Sequence, residues 1–488
     1  MKLINQFYWR RRAREMKMAF AFSFPSRGSQ KKVNTFYKSH KKEIFLFFLM
    51  LVLELAMIFA LWQRSGLNIF FRSDANEFQS IVKNLINYKV FSSDIQAPFY
   101  PTNFRTPIYP FWLAIIYLIF GSFKPAIFIG AFVFAISAPL VYLIAKEIFP
   151  EKISFIAAIL FAIEPWALFQ SGFLVAEQIF MPIFLLSIYL FCRYLKFNNP
   201  HYLYWASFSL GITALIRPIA LFFISIFLFL TFFSELKLSV KSAFKFSALS
   251  LFIFVLILSP WLMRNKIILN TWQISSISDV SLYIDNYAML EKYLGKMKPD
   301  ENINEVGRIL LGTKNYGEAM RSENAKTLAR VAIKEIKENA GSYVTMHLKN
   351  MALSLVKNSY GNIVLDLKIG DAGIQSKISR SLFKNDFSGT IILIKNATTG
   401  SKILITLFFF WPIMILLVFI GIYNAFKKDW RNLLFWFLLL WILYFPALTA
   451  DILDRSRYKL AINAPLFMMA VYGFYEIKKY LFSYVGNS

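Results

Sequence analysis

Residues 72–110, RSDANEFQSIVKNLINYKVFSSDIQAPFYPTNFRTPIYP, decide how the chain is read. They follow directly on the first long hydrophobic segment, so they place carboxylates and cations at a membrane surface. Asp74 and Glu77 stand three apart, ahead of Phe78, Ile81, Val82, Leu85 and Ile86, which recur at the spacing of one helix face. Both acids therefore fall in or beside a first helical turn, where the positive end of the backbone dipole favours them. Asp74 there is either an ordinary N-cap or a functional acid, and the rest of the chain decides between the two.

The surrounding composition is that of a polytopic membrane protein. Of 488 residues, 57% are hydrophobic, 18% aromatic and only 17% charged, more apolar surface than a soluble fold can hide. The formal net charge of +26 is read as loops facing anionic lipid rather than nucleic acid, because Lys and Arg cluster between hydrophobic segments. A single cysteine, Cys192, excludes an internal disulfide framework and a cysteine zinc site. His40, His201 and His347 lie too far apart in the sequence for a histidine metal cluster or a Ser-His-Asp triad to be expected. The apolar break MAFAFSFP within the basic segment 1–43 is too short for a signal-peptide core. That segment is expected to stay in the cytoplasm, so the first helix runs outward.

Ten spans are expected, at 44–63, 126–147, 153–170, 179–195, 203–217, 219–235, 246–262, 402–426, 432–449 and 459–476. Residues 108–121, IYPFWLAIIYLIFG, are short for a crossing and read as an interfacial or re-entrant helix. Orientation supports that choice. With 108–121 held in the outer interface, the inside loops carry Lys146 and Lys152; Arg193 and Lys196; Lys237, Lys241 and Lys245; Lys427, Lys428 and Arg431; and Lys478 and Lys479. All are basic, as the positive-inside rule asks. The chain then divides into a cytoplasmic segment 1–43, a transmembrane module 44–264 with outer loop 64–125, an extracytoplasmic segment 265–401, and C-terminal helices 402–488. Within 265–401 the sequence reads as a loop at MKPDENINEVG and then two helices divided at Gly341, the second apolar enough on one side to rest on the membrane.

The outer side collects a different set of charges: Asp74, Glu77, Arg105, Glu177, Arg217, Arg264, Asp451, Asp454, Arg455 and Arg457. A lone arginine at a helix end is explained by snorkelling to lipid phosphate. Several on one face, together with acids, point to a shared polar site.

In this order the chain carries Asp74 and Glu77, RTPIYPFWLAIIYLIFG, Glu164-Pro165 followed by LVAEQIF with Glu177, GITALIRP, SPWLMRN and RSRYKLAINAPLFMM. This succession resembles the polyprenyl-phosphate-sugar-dependent glycosyltransferases of the GT-C superfamily, in the branch of protein O-mannosyltransferases and aminoarabinose transferases. The resemblance covers 44–264 and 402–476. It implies an all-α GT-C-like bundle, a polyprenyl-phosphate-linked sugar as donor, a glycan, lipid or protein acceptor at the outer face, and transfer with inversion. It assigns the general base to Asp74 with Glu77 in support, and makes Glu177 the family's second acidic position. In family members that position often lies in an Asp/Glu motif that engages a metal. Here Gln178 follows and no second acid adjoins, so no metal ligand is assigned and a divalent cation stays an open cofactor.

The chemistry can also be stated from the residues. A lipid phosphate needs a cation at the membrane surface, and arginine offers two parallel donors at any relevant pH. Arg217 and Arg264, at helix ends, are the first candidates, with Arg105, Arg455 and Arg457 second. Lys83 is either a phosphate partner or a charge partner along its own helix. A carboxylate suits deprotonation of an acceptor hydroxyl. Tyr100, Tyr109, Trp112 and Trp261 either stack on a sugar or fill gaps between helices. Two other classes compete: a transporter or flippase of polyprenyl-linked saccharides, and a non-catalytic envelope assembly subunit. Against the first, ionisable residues concentrate at one face, with Glu54 and Glu164 as exceptions. A basic chain rich in Lys, Ile and Phe fits a prokaryotic plasma membrane.

Overall fold

The structure, a computed structural model, describes residues 40–72, 74–236, 239–298, 302–312, 321–383, 386–451 and 455–485, with side chains for all of these but 308, 322, 323, 382, 383, 408, 455, 456 and 483–485. The described residues from 46 onward belong to one compact unit, and it carries the site.

Helices make up the regular structure, with no strand among the described residues. Seven are long and apolar enough to cross a membrane: Lys41–Ser65, Lys124–Ile148, Glu177–Phe197, Pro218–Leu236, Val240–Leu269, Thr399–Asp429 and Arg457–Phe482. An eighth crossing exists if the pair Glu151–Ala162 and Pro165–Ser171, bent by 53°, is one span. Two of the ten expected spans, 203–217 and 432–449, are the 17-residue helices Pro200–Ile216 and Leu433–Thr449, just short of the roughly 20 residues a straight crossing takes. The segment expected to be interfacial is the 13-residue helix Ile108–Phe120, closed by Gly121 in the left-handed region at φ 64°, where only the lack of a Cβ makes the backbone inexpensive.

The bend at 163–165 has a local cause. Glu164 leaves the helix in extended conformation, its carboxylate accepts the Ala167 N–H at 2.7 Å, and Pro165 occupies the first position of the new helix. That is an N-cap followed by a residue with no N–H to satisfy. The other carboxylate oxygen accepts from Tyr360 Oη at 2.7 Å, and Tyr360 Oη accepts from Trp411 Nε1 at 2.8 Å. Glu164 is therefore a buried acid spent on structure.

Packing follows side-chain size. The helices Thr399–Asp429 and Arg455–Val485 press together at Gly421 and Gly473, where an added Cβ would stand 2.2 Å from the Met469 carbonyl and 2.1 Å from that of Leu417. Small residues of this kind let membrane helices approach closely. Elsewhere the phenylalanines fill the space: Phe191 stacks on Phe227 at 3.9 Å, and Phe184 meets Phe223, Trp441 and Phe445 edge-on. Such rings tie Glu177–Phe197 to Pro218–Leu236 and Leu433–Thr449.

Between residues 265 and 401 the chain forms short helices. The expected pair appears as Ser322–Glu338 and Ala340–Val356, parted at Asn339 rather than Gly341. The stretch expected as a loop instead enters the helix Ile303–Leu311, because Val306, Ile309 and Leu310 recur at helical spacing.

Candidate active site

The helix Asp74–Tyr88 buries Ala75, Phe78, Ile81, Val82 and Asn84, and its first turn carries Asp74 and Glu77. Its far end shapes the loop that follows. Asn84 donates to the carbonyls of Ser92 and Asp94 at 2.9 and 2.8 Å, and Asp94 accepts from Ser92 Oγ and the Tyr100 N–H. Arg264 then donates to the Thr102 carbonyl at 2.8 Å, Ser275 to Phe104 at 2.6 Å, and Thr106 to Ile216 at 2.8 Å. Held from three sides, the loop delivers Arg105 back to the acids.

Six side chains form one alternating chain of charge. Glu77 Oε2 pairs with Arg105 at 2.6 Å. Arg105 reaches Asp74 Oδ1 at 2.9 Å, and Asp74 Oδ2 meets Arg457 Nη2 at 2.9 Å. Arg457 Nε then donates to Glu177 Oε1 at 2.8 Å, which also pairs with Arg217 Nη1 at 2.5 Å. Three carboxylates and three guanidinium groups balance, and Glu177 is the deepest at 2% side-chain exposure, against 14–23% for the others. They arrive from five places: Asp74 and Glu77 from the first turn of Asp74–Tyr88, Arg105 from the loop before Pro107, Glu177 from the start of Glu177–Phe197, Arg217 from the residue before Pro218, and Arg457 from the first turn of the last helix. Arg217 is extended at φ −142° and ψ 123°, as steric contact with a following proline demands.

The electrostatics follow from the pairing. Burial works against the Asp74 charge, but Arg105 and Arg457 outweigh it and hold the carboxyl well below the usual carboxylate range. Burial likewise opposes the Arg105 charge, and Glu77 and Asp74 overcome it, so its pKa lies above the ordinary arginine value. Asp74 is ionised at any ordinary pH. Each carboxylate oxygen offers two lone pairs and each here takes one guanidinium, so Asp74 keeps acceptor capacity. Glu177 Oε2 is buried with no donor among the described residues.

The remaining candidates lie elsewhere. Arg264 bonds to Thr102 and to Asn265 Oδ1 and lies 4.8 Å over the Trp261 ring; it braces the loop, and its bonds are to these groups rather than to the acids. Lys83 is exposed on the face opposite the buried one, and Glu77 takes Arg105 instead. Arg455 lies outside the described side chains. Tyr109 is fully buried, stacked on Trp112 and edge-on to Phe78, and Trp261 is buried with its N–H given to Ile274; these two fill gaps between helices and leave no face for a sugar. Trp112 is half-buried, and Tyr100 is exposed beneath Arg321. The site's neighbourhood also contains Arg72, paired with Asp366, and the buried Trp166 and Gln170. Sequence reasoning passed over these, because no spacing ties residues 72, 166, 170 and 366 together.

A divalent cation does not fit the donor set. Asp74, Glu77 and Glu177 each face guanidinium groups, and no three His, Cys, Asp or Glu among the described residues cluster to hold a metal. Gln178, where a second acid would sit, is committed to packing: it accepts from Tyr109 Oη at 3.2 Å, donates to the Ser171 carbonyl at 2.8 Å, and lies where a Cβ on Gly130 would strike it at 2.2 Å.

A comparison with curated proteins finds no match. Among solved structures, the chain is similar to the archaeal oligosaccharyltransferase AglB of Archaeoglobus fulgidus, in complex with an inhibitory peptide and a dolichol-phosphate, at 15% identity and a TM-score of 0.48, over 92% of this chain and 52% of that one. An Archaeoglobus fulgidus oligosaccharyltransferase tethered through a disulfide bond to an acceptor peptide containing the NVT sequon gives 14% identity and a TM-score of 0.47, over 89% of this chain and 50% of that one. The chain thus spans about half the length of the structures it matches. Residues 104–263, which include Arg105, Glu177 and Arg217, match the model of the family described as dolichyl-phosphate-mannose-protein mannosyltransferase.

Proposed function

We propose that the protein is a membrane glycosyltransferase that moves a sugar from a polyprenyl-phosphate donor to a hydroxyl group of a glycan, lipid or protein acceptor at the outer face of a prokaryotic plasma membrane. The observation that carries this reading is the six-residue chain from Glu77 to Arg217, in which Arg457 joins the first-loop acid Asp74 to Glu177. The family matched by residues 104–263 has dolichyl-phosphate-mannose in its description, and mannose is accordingly the first donor sugar to offer.

The reaction assigns each group a task. The acceptor oxygen attacks the anomeric carbon while the bond from that carbon to the phosphate oxygen breaks. The hydroxyl proton passes to Asp74, and the lipid phosphate leaves with the electron pair. One displacement inverts the anomeric centre. Among the described residues Arg217 pairs with Glu177 through Nη1, which leaves other donors of the guanidinium for phosphate, and a planar fork stabilises charge growing on the leaving group. Donor phosphate competes with Asp74 for Arg457. As that guanidinium turns toward phosphate, the carboxyl of Asp74 loses a stabilising cation and becomes a stronger base.

Turnover by purified protein in nanodiscs, with a panel of polyprenyl-phosphate sugars and envelope extract as acceptor, tests the reading. Release of lipid phosphate that requires Asp74 is the expected result. Absence of release with every donor would remove the transferase reading in favour of a carrier or a scaffold.

A further inference from the structure

The helix Tyr360–Leu367, eight residues long, is no member of the ion-pair chain, yet it and the residues just before it are bonded to both elements that carry Asp74 and Arg457. Near its end Asp366 receives Arg72, which donates through Nη1 to Oδ1 at 2.9 Å and through Nη2 to Oδ2, the two parallel bonds of a guanidinium on a carboxylate. The Ser65 hydroxyl donates to the Asp366 carbonyl. Arg72 stands two residues before Asp74, and its own carbonyl accepts the Ala75 N–H at 3.3 Å, so its position sets that of the first turn of Asp74–Tyr88.

The other end of the stretch holds the last helix. The Lys357 carbonyl accepts from Lys459 Nζ at 3.1 Å, and Lys459 lies two residues beyond Arg457. Lys459 is 6% exposed, with its ammonium 3.3 Å from the centre of the Trp411 ring. Trp411 gives its N–H to Tyr360 Oη, and Tyr360 donates in turn to Glu164, so the start of the short helix is fixed to the buried cap at the bend.

Stability alone does not account for these contacts. The Arg72 side chain is 44% exposed, and an ion pair open to water on one side adds little to the fold. What the Arg72 pair and the Lys459 bond share is an outcome: from one short stretch they hold both partners of the Asp74–Arg457 contact, 2.9 Å apart. Catalytic geometry is sensitive on this scale, since a misplacement of about 1 Å can cost about 10²-fold in rate. We infer that residues 357–366 form a clasp that sets the spacing of Asp74 and Arg457, with Asp366, acting through Arg72, and Lys459 as positioning residues for transfer. The inference rests on the ion-pair chain being the transfer site.

Steady-state turnover in nanodiscs and a distance measurement that needs no substrate test it together. Arg72→Met keeps a stem over the Phe173 ring, Asp366→Asn keeps the carbonyl that Ser65 uses, and Lys459→Met keeps a stem over Trp411. Each is expected to lower kcat by about tenfold to hundredfold, with KM for the donor within about twofold of wild type because Arg217 lies outside the clasp. Arg72→Met and Asp366→Asn together should cost no more than either alone, as partners in one contact do, and Asp366→Glu, which keeps the carboxylate, should recover most of the rate. Spin labels introduced through Lys83→Cys and Phe474→Cys, at two exposed positions, in a Cys192→Ser background report the separation of Asp74–Tyr88 from the last helix. A narrow distribution should broaden in Asp366→Asn and in Lys459→Met. Distances unchanged in the single variants, a kcat that stays at the wild-type level, or losses that add in the Arg72 and Asp366 double variant would overturn the inference. Distances that broaden as expected in a protein that releases no lipid phosphate support the clasp and remove the transferase reading instead.

Discussion

Asp74→Asn separates chemistry from architecture. The substitution removes one negative charge from a balanced set of six, but neither arginine is orphaned: Arg105 keeps two contacts to Glu77, and Arg457 keeps Glu177. Two charge-assisted bonds at about 1.5–3 kcal/mol each give way to one neutral bond and one opposed N–H, so the fold loses about 2–4 kcal/mol. The rate should fall far more, by about 10²–10⁴ for loss of a general base, or about 3–5 kcal/mol in the barrier. Donor affinity should hold or rise, because the arginines lose a competitor for phosphate. The pH profile adds a second reading. Arg105 and Arg457 depress the Asp74 carboxyl in the free protein, so its contribution to stability is present above the ordinary carboxylate range and is lost only as pH falls through the depressed value. The acid limb of kcat/KM, which reports the free enzyme, should therefore lie below that of kcat, which reports the donor complex. Lipid-phosphate release and donor binding, each measured in nanodiscs across pH, supply both tests. Turnover within about threefold of wild type, or a donor that binds more weakly, would refute the assignment.

Further outcomes are expected. Arg217→Lys keeps the charge but loses the planar fork, so KM for the donor should rise by about tenfold while the protein remains folded; an unchanged KM would count against Arg217 as the phosphate ligand. Gly473→Ala places a Cβ against the Leu417 carbonyl, which as backbone cannot yield, and should cost about 1–3 kcal/mol in detergent stability assays. His347 pairs with Asp451 through Nδ1 at 2.6 Å. The hydrogen bond to Asp451 raises the His347 pKa, with burial opposing, while burial disfavours the Asp451 charge and His347 with Asn350 holds that carboxyl low. The stabilisation is thus complete below about pH 6.5 and lost as pH rises through the elevated imidazole value. Thermal midpoints should fall over that rise in wild type and run flat in His347→Gln.

How much of this the chain declares in one dimension depends on the range of the forces involved. Membrane class, the helical fold and the position of most crossings were legible because hydrophobic length is a local property: about 20 apolar residues announce themselves without reference to neighbours. The short helix after Pro107 was legible for the same reason, as were Asp74 and Glu77 at a helix start. The bend at Glu164 was not, since it depends on a cap, a proline and a tyrosine nearly two hundred residues away. Within the site, reading by outer side, helix end and family resemblance marked Arg105, Arg217, Glu177 and Arg457 as candidates. It could not order them, and it ranked Arg264 beside Arg217 although one braces a loop and the other binds an acid. It offered Tyr109 and Trp261 as sugar platforms when both are buried. Only tertiary structure decides such matters, because whether an arginine meets a carboxylate or a carbonyl, and whether an aromatic face meets a ligand or another ring, turns on a few ångströms between elements far apart in the chain.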